Sequence, residues 1–205
     1  MHVRHPTGRG GRLWLAERLS LARRATDLLV QKERVLLREQ RRLVALQRRT
    51  RTEWEDACRD AQTWIARAAA LRGRRVVGLL DRQGQASADL VWRNSMGAYY
   101  PAEAACSLPD DGPVGDFTGT SAMTAAARAH RRAVECAVQH AATHRAVTEV
   151  ERELATTRRR LRMLERHWTP ALAAALHDLD VELEERERDD AVHTRWAQQR
   201  EEMMP

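Results

Sequence analysis

Aromatic residues, lysine, glycine and proline are all scarce in this chain of 205 residues. Only nine side chains are aromatic, and Lys32 is the single lysine. All ten glycines lie in the first eleven residues or between Gly73 and Gly119. Residues 12–72 therefore contain neither glycine nor proline, and residues 120–205 contain only two prolines. Two long segments without turn signals exclude a compact fold of short helices or strands.

Long apolar runs and paired cysteines are also missing. No stretch approaches the ~18 uncharged apolar residues that a transmembrane helix needs, so we expect no direct membrane insertion. The first residues lack the apolar region of a signal peptide. The three cysteines, Cys58, Cys106 and Cys136, have neither a metal-binding nor a disulfide spacing. These absences favour a protein of the reducing cytosol.

The long segments carry a seven-residue apolar repeat instead. In the first segment the repeat consists of Leu15, Ala22, Leu29, Leu36, Leu43, Thr50, Ala57, Trp64 and Leu71. A second row beside it is polar in the middle, at Glu33, Gln40 and Gln47. This spacing is typical of a helix in a coiled coil. The polar middle predicts a seam that is loosely closed or that needs another chain.

The second long segment repeats the pattern around a proline. Its apolar positions are Val147, Leu154, Leu161 and Trp168, followed by Leu172, Leu176, Leu179 and Leu183. Pro170 lies between the two groups, lacks a backbone N–H and crowds the preceding turn. We therefore expect a kink and a shift of register near Pro170.

The distribution of charge predicts how the two helices pair. The first segment begins with an excess of arginine, whereas Glu182–Asp190 in the second segment is mainly acidic. An antiparallel hairpin brings these blocks side by side, where opposite charges stabilise modestly. On this basis we expect Leu15 near His193, and Arg41–Arg51 near Arg158–Arg166.

The glycine- and proline-rich middle favours a small sheet. Arg75–Leu80 and Ala88–Arg93 alternate like short strands, with a turn at Arg82–Gln85. The remainder, Pro101–Thr118, is predicted to be an irregular loop. The expected fold class is all-α dominated: a long antiparallel two-helix coiled coil with a small β-hairpin and loop region at the distal tip.

Four segments follow from these patterns. Residues 1–11 form an N-terminal extension and residues 12–72 the first long helix. Residues 73–119 form the hairpin and loop region, and residues 120–205 the second long helix with its kink near Pro170.

The net charge of +6 does not by itself indicate a nucleic-acid partner. Residues 1–72 carry 17 basic and 8 acidic side chains, whereas residues 120–205 carry 14 and 15. The acidic end of the second helix offsets much of the basic excess of the first. No base-stacking platform or recognition helix is recognisable, so we expect no nucleic-acid partner.

Arginine clusters predict a different kind of surface. If the helices pair as expected, two arginine-rich stretches form one belt of positive charge that repels itself. The belt would consist of Arg38, Arg41, Arg42, Arg48, Arg49, Arg51, Arg158, Arg159, Arg160, Arg162 and Arg166. We expect a protein partner to face it, although a merely solvated face is the alternative.

No catalytic, cofactor-binding or metal-binding residue is predicted. Cys136, His140 and His144 share one helical face, a spacing that could bind a metal, but they also continue the apolar stripe of Val147 and Leu154. The carboxylates cluster on exposed helical faces. We expect neither a bound cofactor nor catalysis by this chain.

Three motifs resemble the D subunit of the V/A-type rotary ATPases. Pro6-Thr7 opens a basic helix that contains Leu28, Leu29 and Lys32; Asn94–Gly97 is followed by Pro101; and an arginine- and leucine-rich run leads through Pro170 into Glu182–Asp190. The order of the three matches that family, and together they cover nearly the whole chain. Thr169 stands where the family usually has Ile.

The resemblance implies a central rotor shaft without catalytic residues of its own. Its partners would be the catalytic A and B subunits, the small F subunit of the stalk and an adaptor on the membrane ring. It would couple ATP turnover to the movement of protons or sodium ions, as a peripheral protein on the cytoplasmic side of the cell membrane.

The resemblance also implies two interfaces. The catalytic hexamer would contact Pro6, Thr7, Leu13, Arg18, Glu184, Arg186, Arg188 and Trp196. The F subunit, which docks on the side of the shaft, would contact Arg41, Arg42, Arg48, Arg158, Arg159 and Arg160. Two alternatives remain open: a stand-alone cytosolic coiled-coil scaffold, and a basic RNA-binding coiled coil with a steep dependence on salt.

Overall fold

The computed structural model describes residues 4–73, 85–109 and 121–202, which form long helices and one β-hairpin. The elements in chain order are α1 (Gly8–Arg72), β1 (Ser87–Ser95), β2 (Ala98–Ser107), α2 (Ser121–Met163), a π-helical turn (Leu164–Trp168) and α3 (Thr169–Glu202). The predicted fold class is confirmed. None of the described helices is both long and apolar enough to span a bilayer.

The chain divides into two compact units, which we name by their place in the sequence. The terminal unit contains Met1–Glu33 and Thr156–Pro205, and the central unit contains Arg34–Ala155. Each unit is built on a pair of helical segments that are far apart in the chain.

In the terminal unit, the start of α1 packs against α3. The core consists of Leu15, Leu19, Ala22, Leu172 and Leu179, each at most 8% exposed. Arg9 forms an ion pair with Glu187 at 3.0 Å, and Arg12 with Asp180 at 2.6 Å. Partner numbers fall as α1 numbers rise, so these segments are antiparallel. The predicted pairing of basic and acidic blocks is confirmed.

The predicted register of this pair is wrong. Leu15 packs in one cluster with Leu172 and Leu179, whereas the charge pattern places it near His193. Charged blocks favour an orientation, but long flexible arginine and glutamate side chains tolerate many offsets. Burial of the leucines selects the offset, because each fully buried side chain contributes ~1.5–3 kcal/mol.

In the central unit, α1 and α2 pair around two clusters. The larger contains Leu36, Leu43, Val147, Val150 and Leu154 together with the hairpin residues Ala98 and Tyr100. The smaller lies where α1 ends and α2 begins, and it contains Ala68, Ala122, Met123 and Ala126.

The polar row of α1 is closed within the chain, contrary to expectation. In the central unit, Gln40 donates to the Glu151 carboxylate at 3.0 Å, and Gln47 donates to His144 Nδ1 at 2.8 Å. In the terminal unit, Glu33 accepts from Arg158 at 2.7 Å. The seam therefore needs no additional chain at these positions, since each polar residue has a partner across the pair.

The β-hairpin turns at Ser95–Ala98. Met96 and Gly97 have φ angles of 51° and 87°, and positive φ at both central residues is the geometry of a type I′ turn. Asn94 Oδ1 accepts from the Gly97 amide at 3.0 Å. The strands are antiparallel, with a bulge between Val91 and Trp92.

The positions of the strands differ in part from the prediction. Ala88–Arg93 lies within β1, as expected. Arg75–Leu80 and most of the predicted turn at Arg82–Gln85 lie outside the described residues. The predicted loop Pro101–Thr118 is wrong in its first part, which belongs to β2; residues 110–118 are also outside the described part. The hairpin lies within the predicted region 73–119, but its second strand follows Ala88–Arg93 instead of preceding it. Its turn end packs on the middle of α1, because Ala98 and Tyr100 enter the larger central cluster.

A π-helical turn precedes Pro170. The Thr169 amide donates to the Leu164 carbonyl, a bond that spans five residues. The wider turn inserts an extra residue and shifts the apolar seam, as such turns do. Leu161 and Leu172 are buried, whereas Trp168, predicted to lie in the seam, is 40% exposed.

Candidate interaction surfaces

The start of α1 is held by a close backbone contact. Gly8 begins the helix at a φ of +73°, and a Cβ atom added at Gly11 would overlap the Pro6 carbonyl oxygen. The same Cβ would lie 3.3 Å from the Leu179 side chain. Only glycine allows Pro6 and α3 to approach the first turn this closely. Pro6 and Thr7 are themselves exposed.

The eight residues predicted to contact a catalytic hexamer are all exposed in the terminal unit: Pro6, Thr7, Leu13, Arg18, Glu184, Arg186, Arg188 and Trp196. Leu13 is 64% and Trp196 72% exposed. Leu183 still packs against the terminal core, but every residue from Glu184 to Arg200 is exposed. No side chain from Glu184 to Arg200 is therefore buried against the described part of the chain.

Charge on distal α3 is partly neutralised within the helix. Glu182 accepts from Arg186 at 2.5 Å, and Glu184 pairs with Arg188 at 3.4 Å, both one turn apart. Exposed pairs of this spacing contribute ~0.3–0.5 kcal/mol each. They support the helix but leave most of its polar surface open to a partner.

The residues opposite the two arginine-rich stretches are not the ones that the sequence predicts. Arg158 belongs to the terminal unit and pairs with Glu33 at 2.7 Å, whereas Arg42 belongs to the central unit and pairs with Glu39 at 2.7 Å. Gln47, in the middle of the α1 stretch, faces His144 on α2. Neighbouring carboxylates thus compensate one arginine of each stretch, Arg158 and Arg42. Arg159 and Arg160 are exposed and make no ion pair with the described residues.

The sequence did not predict an apolar groove in the terminal unit. It encloses about 420 Å³ and is lined mainly by Trp14, Leu21, Leu164, Trp168 and Leu172. The Arg18 guanidinium lies 5.2 Å from the centre of the Trp14 ring. Leu164 and Trp168, the first and last residues of the π-helical turn, both line this groove, and a heptad pattern does not predict a π-helical turn.

One face of α2 carries Cys136, His140 and His144, and these residues pack against α1 or bond to it. Cys136 is buried, and His140 stacks on Trp54 with 5.4 Å between ring centres. His144 accepts from Gln47. In residues 4–73, 85–109 and 121–202, no three His, Cys, Asp or Glu side chains are grouped so that they could hold a metal ion.

Tyr100 links the hairpin to α1, a contact that the sequence did not reveal. The Tyr100 side chain is fully buried, and its hydroxyl donates to Glu39 Oε1 at 2.5 Å. The pKa of Tyr100 is raised by burial and by the Glu39 carboxylate. The pKa of Glu39 is lowered, chiefly by hydrogen bonds from Arg42. The only sequence signal was alternation, since Ala98 and Tyr100 are buried while Tyr99 between them is exposed.

Comparison with known proteins agrees with these features. Residues 13–199 match the family model that describes the D subunit of ATP synthase. The V-type ATP synthase D subunit of Anaeromyxobacter sp. (strain Fw109-5) is 29% identical over 195 residues, covering 93% of this chain and 91% of the relative. The protein of the same description from Thermus thermophilus is 31% identical over 179 residues, covering 84% and 78%. The chain thus belongs to the family of ATP synthase D subunits, of the V-type.

Proposed function

We propose that this chain is the central stalk of a V-type rotary ATPase or ATP synthase and couples ATP turnover in a catalytic hexamer to ion movement at a membrane ring. The observation that carries the proposal is the distal part of α3. A helix from Glu184 to Arg200 that is exposed at every residue gains most by entering a surrounding partner.

The antiparallel helix pairs supply the mechanical property that a shaft needs. Each unit closes its seam with buried leucine, valine and alanine, and adds polar contacts across the pair. Transmission of torque requires such packing, because tightly packed interiors transmit strain. The chain itself would be non-catalytic, and hydrolysis or synthesis would occur on the A and B subunits.

Two surfaces are assigned to partners in this proposal. Distal α3 and the exposed start of α1, including Leu13 and Trp196, face the A and B subunits. Exposed arginines, above all Arg159 and Arg160, face the F subunit. An adaptor on the membrane ring is the remaining partner, which puts the chain in a peripheral position on the cytoplasmic side of the membrane.

The first test is a truncation that spares the terminal core. Ending the chain after Arg188 keeps Leu183 in the core and Glu187 with Arg9, but removes the exposed end of α3. Co-expressed with the A, B and F subunits, the shortened chain should keep the F subunit and lose coupled ATPase activity. Loss of the F subunit with activity retained would contradict the assignment of the surfaces. A stand-alone scaffold instead predicts that a tagged full-length chain recovers none of these subunits.

The second test reverses charge at the arginines. The double variant Arg159→Glu/Arg160→Glu should reduce co-purification of the F subunit at low salt, because these guanidinium groups are exposed. Arg158 is left unchanged in this variant, because its reversal would also break the pair with Glu33. Unchanged recovery of the F subunit with the double variant would remove this surface from the proposal.

A further inference from the structure

Two histidines and a tryptophan meet across the helix pair of the central unit. The His140 ring stacks on Trp54 at 5.4 Å with an angle of 15° between the planes, and it lies 6.3 Å from the His144 ring. Thr50 Oγ1 lies 3.4 Å from His140 Nδ1. Trp54 and Thr50 belong to α1 and the histidines to α2, so these contacts join the two helices.

We propose that His140 and His144 form an acid-sensitive contact that loosens the α1–α2 pair of the central unit when both rings are protonated. The proposal concerns this chain alone and stands independently of the proposed rotor function.

The charged groups around the two histidines influence whether the fold favours the neutral or the protonated ring. The groove beside the histidines carries Arg48, Arg51 and Glu55 from α1, and Glu151 from α2. On the other side of Thr50, the groove toward β2 carries Arg49, Glu53 and Glu103. Arg49 and Glu53 pair with each other at 3.7 Å, and Arg51 and Glu55 at 2.7 Å, so these carboxylates are already engaged by arginines.

The energetic consequence follows from the protonation state that the fold prefers. Burial lowers the pKa of His140, as do His144 and Arg51, and these effects outweigh Glu55. A lowered pKa means that the unfolded state binds the proton more readily. This contribution to stability is therefore present above the unfolded pKa of about 6.5 and is lost as the pH falls through the folded value.

The hydrogen bond at His144 adds a geometric consequence. His144 Nδ1 accepts from the Gln47 amide nitrogen at 2.8 Å. A protonated ring carries a hydrogen on both nitrogens and cannot accept. The Gln47 amide must then turn over, or the contact between the helices is lost.

Hydrogen exchange on the full-length chain tests the proposal. Peptides that cover residues 47–54 and 140–144 should exchange about two- to tenfold faster near pH 5.5 than near pH 7.5 after correction for the intrinsic rate, the range that loss of one hydrogen bond produces. The double variant His140→Gln/His144→Gln should abolish this difference. His193→Gln is the matched control, because His193 is exposed on distal α3 and should leave it unchanged.

Two outcomes would overturn the proposal. One is equal protection at both pH values in the wild-type chain. The other is a pH-dependent increase that persists in the double variant, which would assign the effect to other groups. Proton NMR of the two imidazole rings in the wild-type chain identifies which histidine titrates first, and the remaining resonances check the fold of the variant.

Discussion

The Tyr100 hydroxyl donates a hydrogen bond to the Glu39 carboxylate at 2.5 Å, and this bond joins the β-hairpin to the middle of α1. The same oxygen of Glu39 also accepts from Arg42, whose guanidinium donates to Oε1 at 2.7 and 3.1 Å. The hairpin is therefore fastened by a buried aromatic ring together with a charged hydrogen-bond network.

Removal of the hydroxyl should weaken this attachment without emptying the core. Tyr100→Phe is expected to lower the free energy of unfolding by about 1–3 kcal/mol, because a hydrogen bond to a charged group is lost. Tyr100→Ala should cost about 3–5 kcal/mol, because a cavity is added. Urea denaturation measures both. Tyr99→Phe, at an exposed ring, is the control and should change stability by less than about 0.5 kcal/mol.

The same network predicts a dependence of stability on pH. Because Arg42 lowers the pKa of Glu39 below 4.5, the unfolded state takes up the proton first. The contribution of Glu39 is present above its unfolded pKa and disappears as the pH falls through the folded value. Glu39→Gln should therefore destabilise the chain at neutral pH and approach the wild type in acid. A stability difference that does not change with pH would contradict this account.

The close approach at Gly11 can be tested against a glycine one residue away. Gly11→Ala places a methyl group against the Pro6 carbonyl and the Leu179 side chain, so we expect a loss of about 1–3 kcal/mol. A Cβ at Gly10 meets nothing within 4 Å, and Gly10→Ala should stabilise the helix by about 0.5–1 kcal/mol. If Pro6 contacts Gly11 in this way, the melting temperature should fall in Gly11→Ala and rise in Gly10→Ala.

Alanine variants of Leu15 and Leu13 distinguish an effect on stability from an effect on partner binding. Leu15 is fully buried, and Leu15→Ala should cost about 2–5 kcal/mol. Leu13 is 64% exposed, so Leu13→Ala should change stability by less than about 0.5 kcal/mol. If Leu13 contacts the catalytic subunits, its variant should lose the A and B subunits in co-purification while melting normally. Normal recovery of both subunits would exclude Leu13 from that surface.

The heptad pattern predicted the helices, because an apolar stripe can be read from local sequence. The basic and acidic blocks predicted the antiparallel direction, which the ion pairs of Arg9 and Arg12 confirm. Leu15, Leu36 and Leu43 are buried as the pattern requires. The pattern failed at Trp168: Pro170 predicted a change of register nearby, but not a π-helical turn that begins six residues before it. It also failed at Arg158, whose partner Glu33 lies 125 residues away in the chain.

The sequence by itself determined that this chain forms two long helical segments, the second altered near Pro170, with a hairpin between them, and its motifs identified the family. Helical periodicity and turn residues can be recognised within short stretches of sequence, and the order of the motifs follows from their positions along the chain. Only the tertiary structure decided the register of the helix pairs, the anchoring of the hairpin through Tyr100 and Glu39, and the contact between Trp54 and His140. These depend on which distant side chains fill the same space, and many offsets of a heptad repeat are nearly equivalent until the whole core is packed.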